Sequence, residues 1–486
     1  MNAKKRNLII AIMTAMFLGA VEGTVVTTAI PTIVKDLQGF QIISMVFSVY
    51  LLTSAIATPI YGKLSDLYGR KNVLTVGIII FLIGSFLCGL SQNMYMLILF
   101  RAIQGLGAGS IFTVTYTIVG DVFTLEERPK VQGMLGTVWG IASLAGPFLG
   151  GIIIETLTWH WIFFINIPFG ILSIILLQKN IVETFEKKKH NFDFGGIITL
   201  SVAMIIFLNI FLTAETETGF QMKYVLPSIV LTILFLYLFY RFEKKAEEPI
   251  FPFDVFTKEN TIANIICFFC SGIMIGIDCY MPIYLQNVLG QSAKISGLSM
   301  APMSISWLIS SFIIGKCMVR RGGKTAALLS TGIVVLSALL MPTLGTQSPL
   351  ILVLVYVFLM GFGLGGAFTT LTILVQESVD YSKRGAATAS NSLVKTLGET
   401  IGISIFGSIF NIYITKYFIG KGITGVDPGN LYKTTGGHPA VTAELTKLSL
   451  NSSLHVLFIV FIVLAIITLL LSIYMPYRKR TSDAEQ

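Results

Sequence analysis

Runs of about 20 apolar residues, the length that a helix needs to cross the hydrocarbon core of a bilayer, recur along this whole chain. Hydrophobic residues make up 54% of its 486 residues, charged residues make up 12%, and the mean hydropathy is +0.80. These values exclude a soluble globular protein. We therefore predict an all-α membrane protein with fourteen transmembrane helices, at residues 8–29, 43–62, 73–91, 95–119, 131–153, 161–179, 194–213, 224–241, 261–285, 294–315, 325–344, 349–376, 385–411 and 453–475.

The stretch from Arg101 to Gly151 occurs twice. Seven of its residues recur at a constant spacing of 256: Gly105, Gly107, Gly109, Asp121, Arg128, Gly146 and Gly151 match Gly361, Gly363, Gly365, Glu377, Arg384, Gly402 and Gly407. Two related halves of this kind are typical of secondary transporters. The second copy has Val357 in place of Arg101 and Ile403 in place of Pro147, so the halves share a scaffold and differ in chemistry.

The net charge of +9 is distributed unevenly along the chain. If the N-terminus is cytoplasmic, the basic residues concentrate in the loops on that side, among them Lys187 to Lys189, Arg320, Arg321 and Arg478 to Arg480. This is the positive-inside pattern of membrane proteins. We therefore expect a multi-pass protein of a bacterial cell membrane with both termini in the cytoplasm. The excess of basic residues thus reflects the orientation of the chain in the membrane. We expect the protein to have the lipid bilayer, and no nucleic acid, as a partner.

The residues that carry metal or phosphate chemistry are sparse. The five cysteines lie in or at the ends of apolar helices, and the four histidines show no zinc spacing. Cys267 and Cys270 have the spacing of a redox or metal pair, but they lie in a membrane helix without a nearby histidine, which favours helix packing. The glycines at 361–366 lack the Lys-Ser/Thr ending of a phosphate loop. We expect no enzymatic activity, metal or cofactor.

Four segments resemble motifs of the major facilitator superfamily, in order and on the matching helices. They are the loop Gly62–Leu74, the helix segment Arg101–Gly109, the segment Gly140–Gly151 and the segment Trp159–Gly170. The third resembles the fifth-helix motif associated with antiporters, and the last resembles the start of helix six in the fourteen-helix drug:proton antiporters. The resemblance implies two six-helix bundles related by a pseudo-two-fold axis, at 1–180 and 259–486. Residues 181–258 then hold cytoplasmic linkers and two inserted helices, and the second bundle carries an outer loop at 412–452 and a short cytoplasmic tail.

Ten residues are candidates for conformational gating. The resemblance implies that Asp66 docks near the start of the helix after Arg384 and closes the cytoplasmic side. Arg70 can meet an acid such as Asp121, although a solvated basic loop would also explain the segment. The glycines of the fifth helix predict close packing against a helix of the opposite half. The candidates are Gly62, Asp66, Gly69, Arg70, Lys71, Asp121, Gly146, Pro147, Gly150 and Gly151.

The candidates for proton coupling are acids at membrane depth, with Arg101 as the group that tunes them. Glu22 stands where the family usually has aspartate, and counting about 1.5 Å per residue puts it at the depth of Arg101. Asp278 is a second intramembrane acid, and Glu399 lies four residues after Lys395, where the two side chains would also neutralise each other. The residues expected to line a substrate cavity are Glu22, Asp278, Gln104, Trp139 and Asn391.

The resemblance implies a monomeric exporter driven by the proton gradient, which exchanges protons for amphipathic and often cationic small molecules. An acid that is charged when it holds a cation and neutral when the empty cavity turns over would couple the two fluxes. Two alternatives remain open. The same fold would also serve a dedicated exporter of one metabolite, siderophore or lipid. A membrane sensor or assembly subunit is a third interpretation, although the chain has no large soluble segment to carry such a role.

Overall fold

The structure is a computed structural model that describes residues 3–37, 43–180, 193–213, 222–246, 249, 253–291, 293–426 and 441–476. Within these ranges the regular structure is entirely helical, with short 3-10 and π turns between some helices. The helices are α1 (Ala3–Leu37), α2 (Ile43–Tyr68), α3 (Arg70–Cys88), α4 (Met94–Val122), α5 (Arg128–Thr156), α6 (Trp161–Phe164), α7 (Asn166–Asn180), α8 (Phe194–Thr213), α9 (Met222–Glu243), α10 (Lys258–Ile283), α11 (Ala293–Arg321), α12 (Gly323–Leu340), α13 (Leu350–Glu377), α14 (Arg384–Gly420) and α15 (Ala443–Ile473).

The all-helical membrane fold is confirmed. Twelve helical segments of the described chain are long and apolar enough to cross a membrane, with α6 and α7 together forming one of them. Helices α5 and α8 lie at two further predicted spans and are not among the twelve. The apolar part of α8 in the described chain is only Gly195–Phe207. The count of fourteen spans therefore stays a prediction.

The outer loop expected at 412–452 is shorter in the structure. Helix α14 continues to Gly420 and α15 begins at Ala443, so helix enters both ends of the predicted loop 412–452. The start of α15 has a local cause, because the hydroxyl of Thr442 accepts a hydrogen bond from the backbone N–H of Leu445 at 3.2 Å. Residues 427–440, the linker residues 181–192 and the tail 477–486 lie outside the described residues.

The chain packs into two compact units that do not follow chain order. Unit 1 comprises Met1–Asn209, Pro227–Thr261 and Thr372–Leu393, and unit 2 comprises Ile210–Leu226, Ile262–Leu371 and Val394–Gln486. The end of α13 and the beginning of α14 therefore belong to unit 1. The domain boundaries expected at residues 180 and 258 stay a prediction.

The same turn occurs once in each unit. Gly69 precedes α3 with φ +87°, and Gly322 precedes α12 with φ +89°. Glycine is the residue that adopts a positive φ without steric cost. The two glycines are 253 residues apart, as are Gly62 and Gly315, so the second copy of the loop keeps the backbone turn although it lacks the acid of the first.

In unit 1, α3 and α4 approach each other closely where the residues are small. A methyl group on Gly107 of α4 would lie 2.6 Å from the carbonyl oxygen of Gly77 and 2.6 Å from the Cα atom of Phe81. Both neighbouring atoms belong to the backbone of α3, so they cannot rotate away. Van der Waals packing of small residues is a main source of helix association in lipid. The absence of a side chain at Gly107 is therefore a condition for this contact.

The substitution Gly107→Ala tests this packing. We expect it to lower the free energy of unfolding by about 1–3 kcal/mol, the usual cost of overpacking a filled interior. The control is Gly332→Ala in α12, because a methyl group there meets no atom within 4 Å. Thermal unfolding of the purified protein in detergent measures both variants. If Gly107→Ala is as stable as Gly332→Ala, the contact does not limit the approach of α3 and α4.

Candidate functional site

An ion pair lies inside unit 1. The Nη1 atom of Arg101 in α4 is 2.6 Å from Oε1 of Glu22 in α1, and the two side chains are 0% and 1% exposed. The pairing that the depth of the two residues allows is thus present in the structure. Charged groups with so little exposure cost free energy unless they are paired and hydrogen-bonded. The contacts around the pair therefore decide what it can do.

The guanidinium of Arg101 has three further contacts. Its Nε donates to the carbonyl oxygen of Val46 at 3.1 Å, and its Nη1 donates to Oε1 of Gln104 at 2.8 Å. Its Cζ atom lies 4.1 Å from the centroid of the Tyr50 ring, within the range of a cation–π contact. These contacts hold the arginine independently of the carboxylate of Glu22.

The second oxygen of Glu22 is bound by Asn166. The side-chain amide of Asn166 donates to Oε2 of Glu22 at 2.5 Å and to the hydroxyl of Ser85 at 2.9 Å. Ser85 in turn donates to the carbonyl oxygen of Phe163 at 2.8 Å and accepts from Nε2 of Gln104 at 3.2 Å. We call Glu22, Arg101, Gln104, Asn166 and Ser85 the buried polar cluster. It joins α1, α3, α4 and the start of α7.

The sequence analysis did not single out Asn166, Ser85 or Tyr50 as site residues. Asn166 lies in the segment Trp159–Gly170 and is buried in the structure. Its amide side chain within an apolar run of the sequence is the signal that would have identified it. Gln104, expected in a substrate cavity, is 0% exposed and belongs to this cluster.

A second network surrounds the turn between α2 and α3. The carboxylate of Asp66 accepts from the backbone N–H groups of Gly385 at 3.0 Å and Ala386 at 2.9 Å, in the first turn of α14. The same carboxylate lies 2.5 Å from Nη2 of Arg70. The Nε atom of Arg70 donates to Asp121 at 2.9 Å. The structure thus contains both contacts inferred for this loop, the docking of Asp66 near the start of a helix and the pairing of Arg70 with Asp121.

The ion pairs of this network connect the two copies of the repeat crosswise. Asp121 of the first copy accepts from Nη1 of Arg384 of the second copy at 3.0 Å. Arg128 of the first copy pairs with Glu377 of the second. Asp121 matches Glu377 and Arg128 matches Arg384 at the spacing of 256, so each acid pairs with the arginine of the other copy. All four residues belong to unit 1.

Tyr381 covers this network and was not predicted. Its ring centroid lies 5.5 Å from Cζ of Arg70 and 5.6 Å from Cζ of Arg384. Its side chain is 58% exposed, so one aromatic ring contacts both arginines at the surface. We call these residues together the turn network: Asp66, Arg70, Asp121, Arg128, Glu377, Tyr381 and Arg384. Nothing in the repeat comparison points to Tyr381, because it lies in a short 3-10 turn between α13 and α14.

The remaining gating candidates occupy separate places. Lys71 donates to the carbonyl oxygen of Gln178 at 2.9 Å. A Cβ atom on Gly62 would lie 3.0 Å from the carbonyl oxygen of Gly385, next to the turn network. Gly150 is buried, whereas Gly151 and the ring of Pro147 fall outside the described side chains.

One prediction about α5 needs correction. A Cβ atom on Gly146 would have its nearest neighbours in Thr24 of α1, with the Cβ atom of Thr24 at 2.6 Å. The hydroxyl of Thr24 also donates to the carbonyl oxygen of Ala142 at 3.0 Å. The predicted partner in the opposite half is therefore wrong. At Gly146, α5 packs against α1 of the same half.

Unit 2 contains the other candidate acids. Asp278 of α10 is exposed, Glu399 of α14 is partly exposed, and the two carboxylates interact electrostatically. Lys395 also interacts with Glu399, and its Nζ lies 5.2 Å from the centroid of the Phe368 ring. None of these groups is enclosed like the buried polar cluster. All three side chains are more exposed than that of Glu22.

The last two cavity candidates lie in unit 1. Trp139 is 45% exposed and stacks on Phe112 with the ring centroids 5.3 Å apart. Asn391 is 1% exposed and accepts a hydrogen bond from the hydroxyl of Thr372 at 3.3 Å. The structure therefore leaves Trp139 accessible and encloses Asn391.

Several bacterial proteins are similar to this chain. It is 36% identical to the multidrug transporter protein MdtP of Bacillus subtilis over 412 residues, which cover 84% of this chain and 76% of the relative. It is 35% identical to multidrug resistance protein 3 of the same organism, with 85% and 81% covered. It is 32% identical to the multidrug efflux pump SdrM of Staphylococcus aureus, with 83% and 89% covered.

Solved structures with low sequence identity share the fold. The human organic anion transporter MFSD10 superimposes with a TM-score of 0.65 at 12% identity, covering 97% of this chain and 100% of the other. The proton:xylose symporter XylE superimposes with a TM-score of 0.62 at 11% identity, covering 97% and 96%. Residues 12–403 match the sequence profile of the Major Facilitator Superfamily. With this match, the relatives and the repeated helical scaffold in agreement, the chain belongs to the Major Facilitator Superfamily, a family of membrane transporters.

Proposed function

We propose that this protein is a proton-coupled exporter of amphipathic, often cationic small molecules in a bacterial cell membrane, with both termini in the cytoplasm. The observation that carries the proposal is the fully buried pair of Glu22 and Arg101 with its hydrogen-bonded surroundings. Ionisable residues at membrane depth commonly mark ion pathways and proton relays. The similarity to three bacterial proteins with multidrug transport names supports the export of drug-like compounds.

Glu22 is the group that we assign to the coupling proton. When it is ionised, it is held by Arg101 at 2.6 Å and by Asn166 at 2.5 Å. When it takes up a proton, the charge of Arg101 loses its partner. The contacts of Arg101 with Val46, Gln104 and Tyr50 remain and keep the guanidinium in place. Protonation can then change the charge of the buried polar cluster without dismantling it.

The substrate cation needs an acid that it can reach, and Glu22 is only 1% exposed. We therefore assign the contact with the substrate to Asp278 and Glu399 of unit 2, whose side chains are exposed and partly exposed. In this assignment, the acid that binds the proton is different from the acids that bind the substrate. Coupling then requires a change of conformation that both sites influence, as in alternating access.

The turn network is the element that we assign to the control of that change. Asp66 binds the first turn of α14, where backbone N–H groups and the helix dipole favour a negative charge. The crossed pairs Asp121–Arg384 and Arg128–Glu377 join α4 to α14 and α5 to α13. We propose that this network holds the cytoplasmic side closed and must separate for the transporter to turn inward.

Substitutions of Glu22 test the proton assignment. Glu22→Gln keeps the shape of the side chain but cannot ionise, so we expect no proton release when a cationic substrate is added to the purified protein. Proton-gradient-driven uptake of the cation into liposomes should also be lost. Glu22→Asp retains a carboxylate and should keep much of both activities. Glu444→Gln, at an exposed acid in α15, serves as the control and should match the parent.

Two outcomes would contradict this assignment. If Glu22→Gln releases protons like the parent and Asp278→Asn does not, the roles of the two acids are reversed. If both variants release protons normally, Glu399 becomes the coupling acid. Removing one partner of a buried ion pair can cost about 3–5 kcal/mol of stability, so thermal unfolding of each variant must show that it is folded. A protein that moves no compound of a cationic and neutral panel under a proton gradient would refute the export function itself.

Substitution of Asp66 tests the role of the turn network. Asp66→Asn removes the charge that faces the start of α14, an interaction worth about 0.3–2 kcal/mol. We expect reduced export at near-normal abundance in the membrane. The control is Asp380→Asn, because Asp380 is an exposed acid directly before the 3-10 turn that contains Tyr381, and its side chain makes no capping hydrogen bond. Full export activity in Asp66→Asn would contradict this role. The loop would then be a solvated basic loop whose charge serves only the positive-inside pattern.

A further inference from the structure

The internal repeat places a tryptophan and a lysine at equivalent positions. Phe112 and Phe368 are 256 residues apart, and so are Trp139 and Lys395. In unit 1 the ring of Trp139 stacks on Phe112, with centroids 5.3 Å apart and planes at 26°. In unit 2 the ammonium of Lys395 lies 5.2 Å from the centroid of Phe368. The same phenylalanine position is thus covered by an aromatic ring in one unit and by a cation in the other.

The surroundings of Phe368 suit a cation in two ways. Its ring also stacks on Trp307, with centroids 5.4 Å apart and planes at 17°. The faces of such rings carry negative charge density and attract ammonium groups. In addition, Glu399 lies four residues after Lys395 on α14 and interacts with it electrostatically, and Asp278 interacts with Glu399. Two carboxylates therefore accompany one ammonium near this aromatic pair.

We propose that Phe368, Trp307 and Glu399 form a subsite for organic cations, and that Lys395 occupies it as a tethered competitor while no substrate is bound. The substrate class rests on the proposed export function. An arriving cation takes the place of the ammonium over the ring of Phe368. Lysine suits such a role because its charge is carried on a flexible stem of four carbons and can move aside.

The accessibility of the groups fits this exchange. Trp307, Lys395 and Glu399 are partly exposed, and Asp278 is exposed, so the subsite is open to a ligand in the way that the buried polar cluster is not. The buried thiols of Cys267 and Cys270 also interact with Lys395. They belong to α10, which packs against α14 close to this position, since a Cβ atom on Gly398 would meet the backbone of Phe268. A displaced ammonium still finds Glu399 one helical turn away on its own helix.

Binding of tetraphenylphosphonium to the purified full-length protein in detergent tests the proposal by isothermal titration calorimetry. Lys395→Met removes the competitor and keeps the length of the side chain, so the affinity should rise about 2- to 30-fold, the range that corresponds to one cation–π contact. The control Lys416→Met removes an equal charge from the same helix. It also removes a cation–π contact, since Nζ of Lys416 lies 5.1 Å from the centroid of Tyr413. It should leave the affinity unchanged.

A double variant separates the aromatic subsite from a general effect of charge. In Lys395→Met/Phe368→Leu, the gain should vanish, because the ring that the ligand would use is absent. Neutral triphenylphosphine oxide should bind equally to the parent and to Lys395→Met. If Lys395→Met does not fold, the single variant Phe368→Leu is measured instead. It should bind tetraphenylphosphonium more weakly than the parent.

The proposal is overturned if Lys395→Met binds the cation no more tightly than the parent, or if the gain persists without Phe368. If Phe368→Leu alone has to be used, unchanged binding overturns it. These measurements use no proton gradient. A failure of proton coupling in liposomes would therefore leave the binding result intact, and a failure of the subsite would leave proton-driven export intact.

Discussion

The buried ion pair of Glu22 and Arg101 is the interaction on which the arrangement of unit 1 depends. A guanidinium inside an apolar helix bundle is stable only when its charge is compensated and its donors are hydrogen-bonded. At Arg101 the carbonyl oxygen of Val46 accepts from Nε, and the carboxylate of Glu22 and the side chain of Gln104 accept from Nη1, whereas Nη2 has no hydrogen-bond partner among the described residues. Asn166 satisfies the second carboxylate oxygen. The pair joins α1 to α4, and its hydrogen bonds to Val46 and Asn166 add α2 and α7. Glu22 is also the acid to which we assign the coupling proton.

The turn network shows how an internal repeat can produce a contact that neither copy has alone. Each copy carries one acid and one arginine at matching positions, and the pairs form between copies: Asp121 with Arg384 and Arg128 with Glu377. The two copies differ at the loop itself, because the second lacks the acid of the first. Only the first loop can therefore dock a carboxylate on a helix start. Because only one loop carries the acid, the contacts of the turn network form a single set that can separate together.

Much of this architecture could be predicted from the sequence, because helices in lipid leave strong local signals. Apolar length predicts spans, and a constant spacing of 256 predicts related halves. The partners of Asp66 and Arg70 followed from a complete loop motif. The partners of side chains outside such a motif could not be predicted. Asn166 reaches Glu22 from 144 residues away, and Tyr381 reaches two arginines from a 3-10 turn. The partner of Gly146 was wrong because a small residue shows that a helix is close without showing which one.

The central claim is that Glu22 loses and regains a proton as substrate binds and leaves. Infrared difference spectroscopy of the purified protein, recorded on addition of tetraphenylphosphonium, detects the carbonyl stretch of a protonated carboxyl group directly. If Glu22 carries the coupling proton, the spectrum of the parent will show the loss of a protonated carboxyl, and that feature will be absent from Glu22→Gln. If the same loss persists in Glu22→Gln, another acid carries the proton and the account given for the buried polar cluster is contradicted.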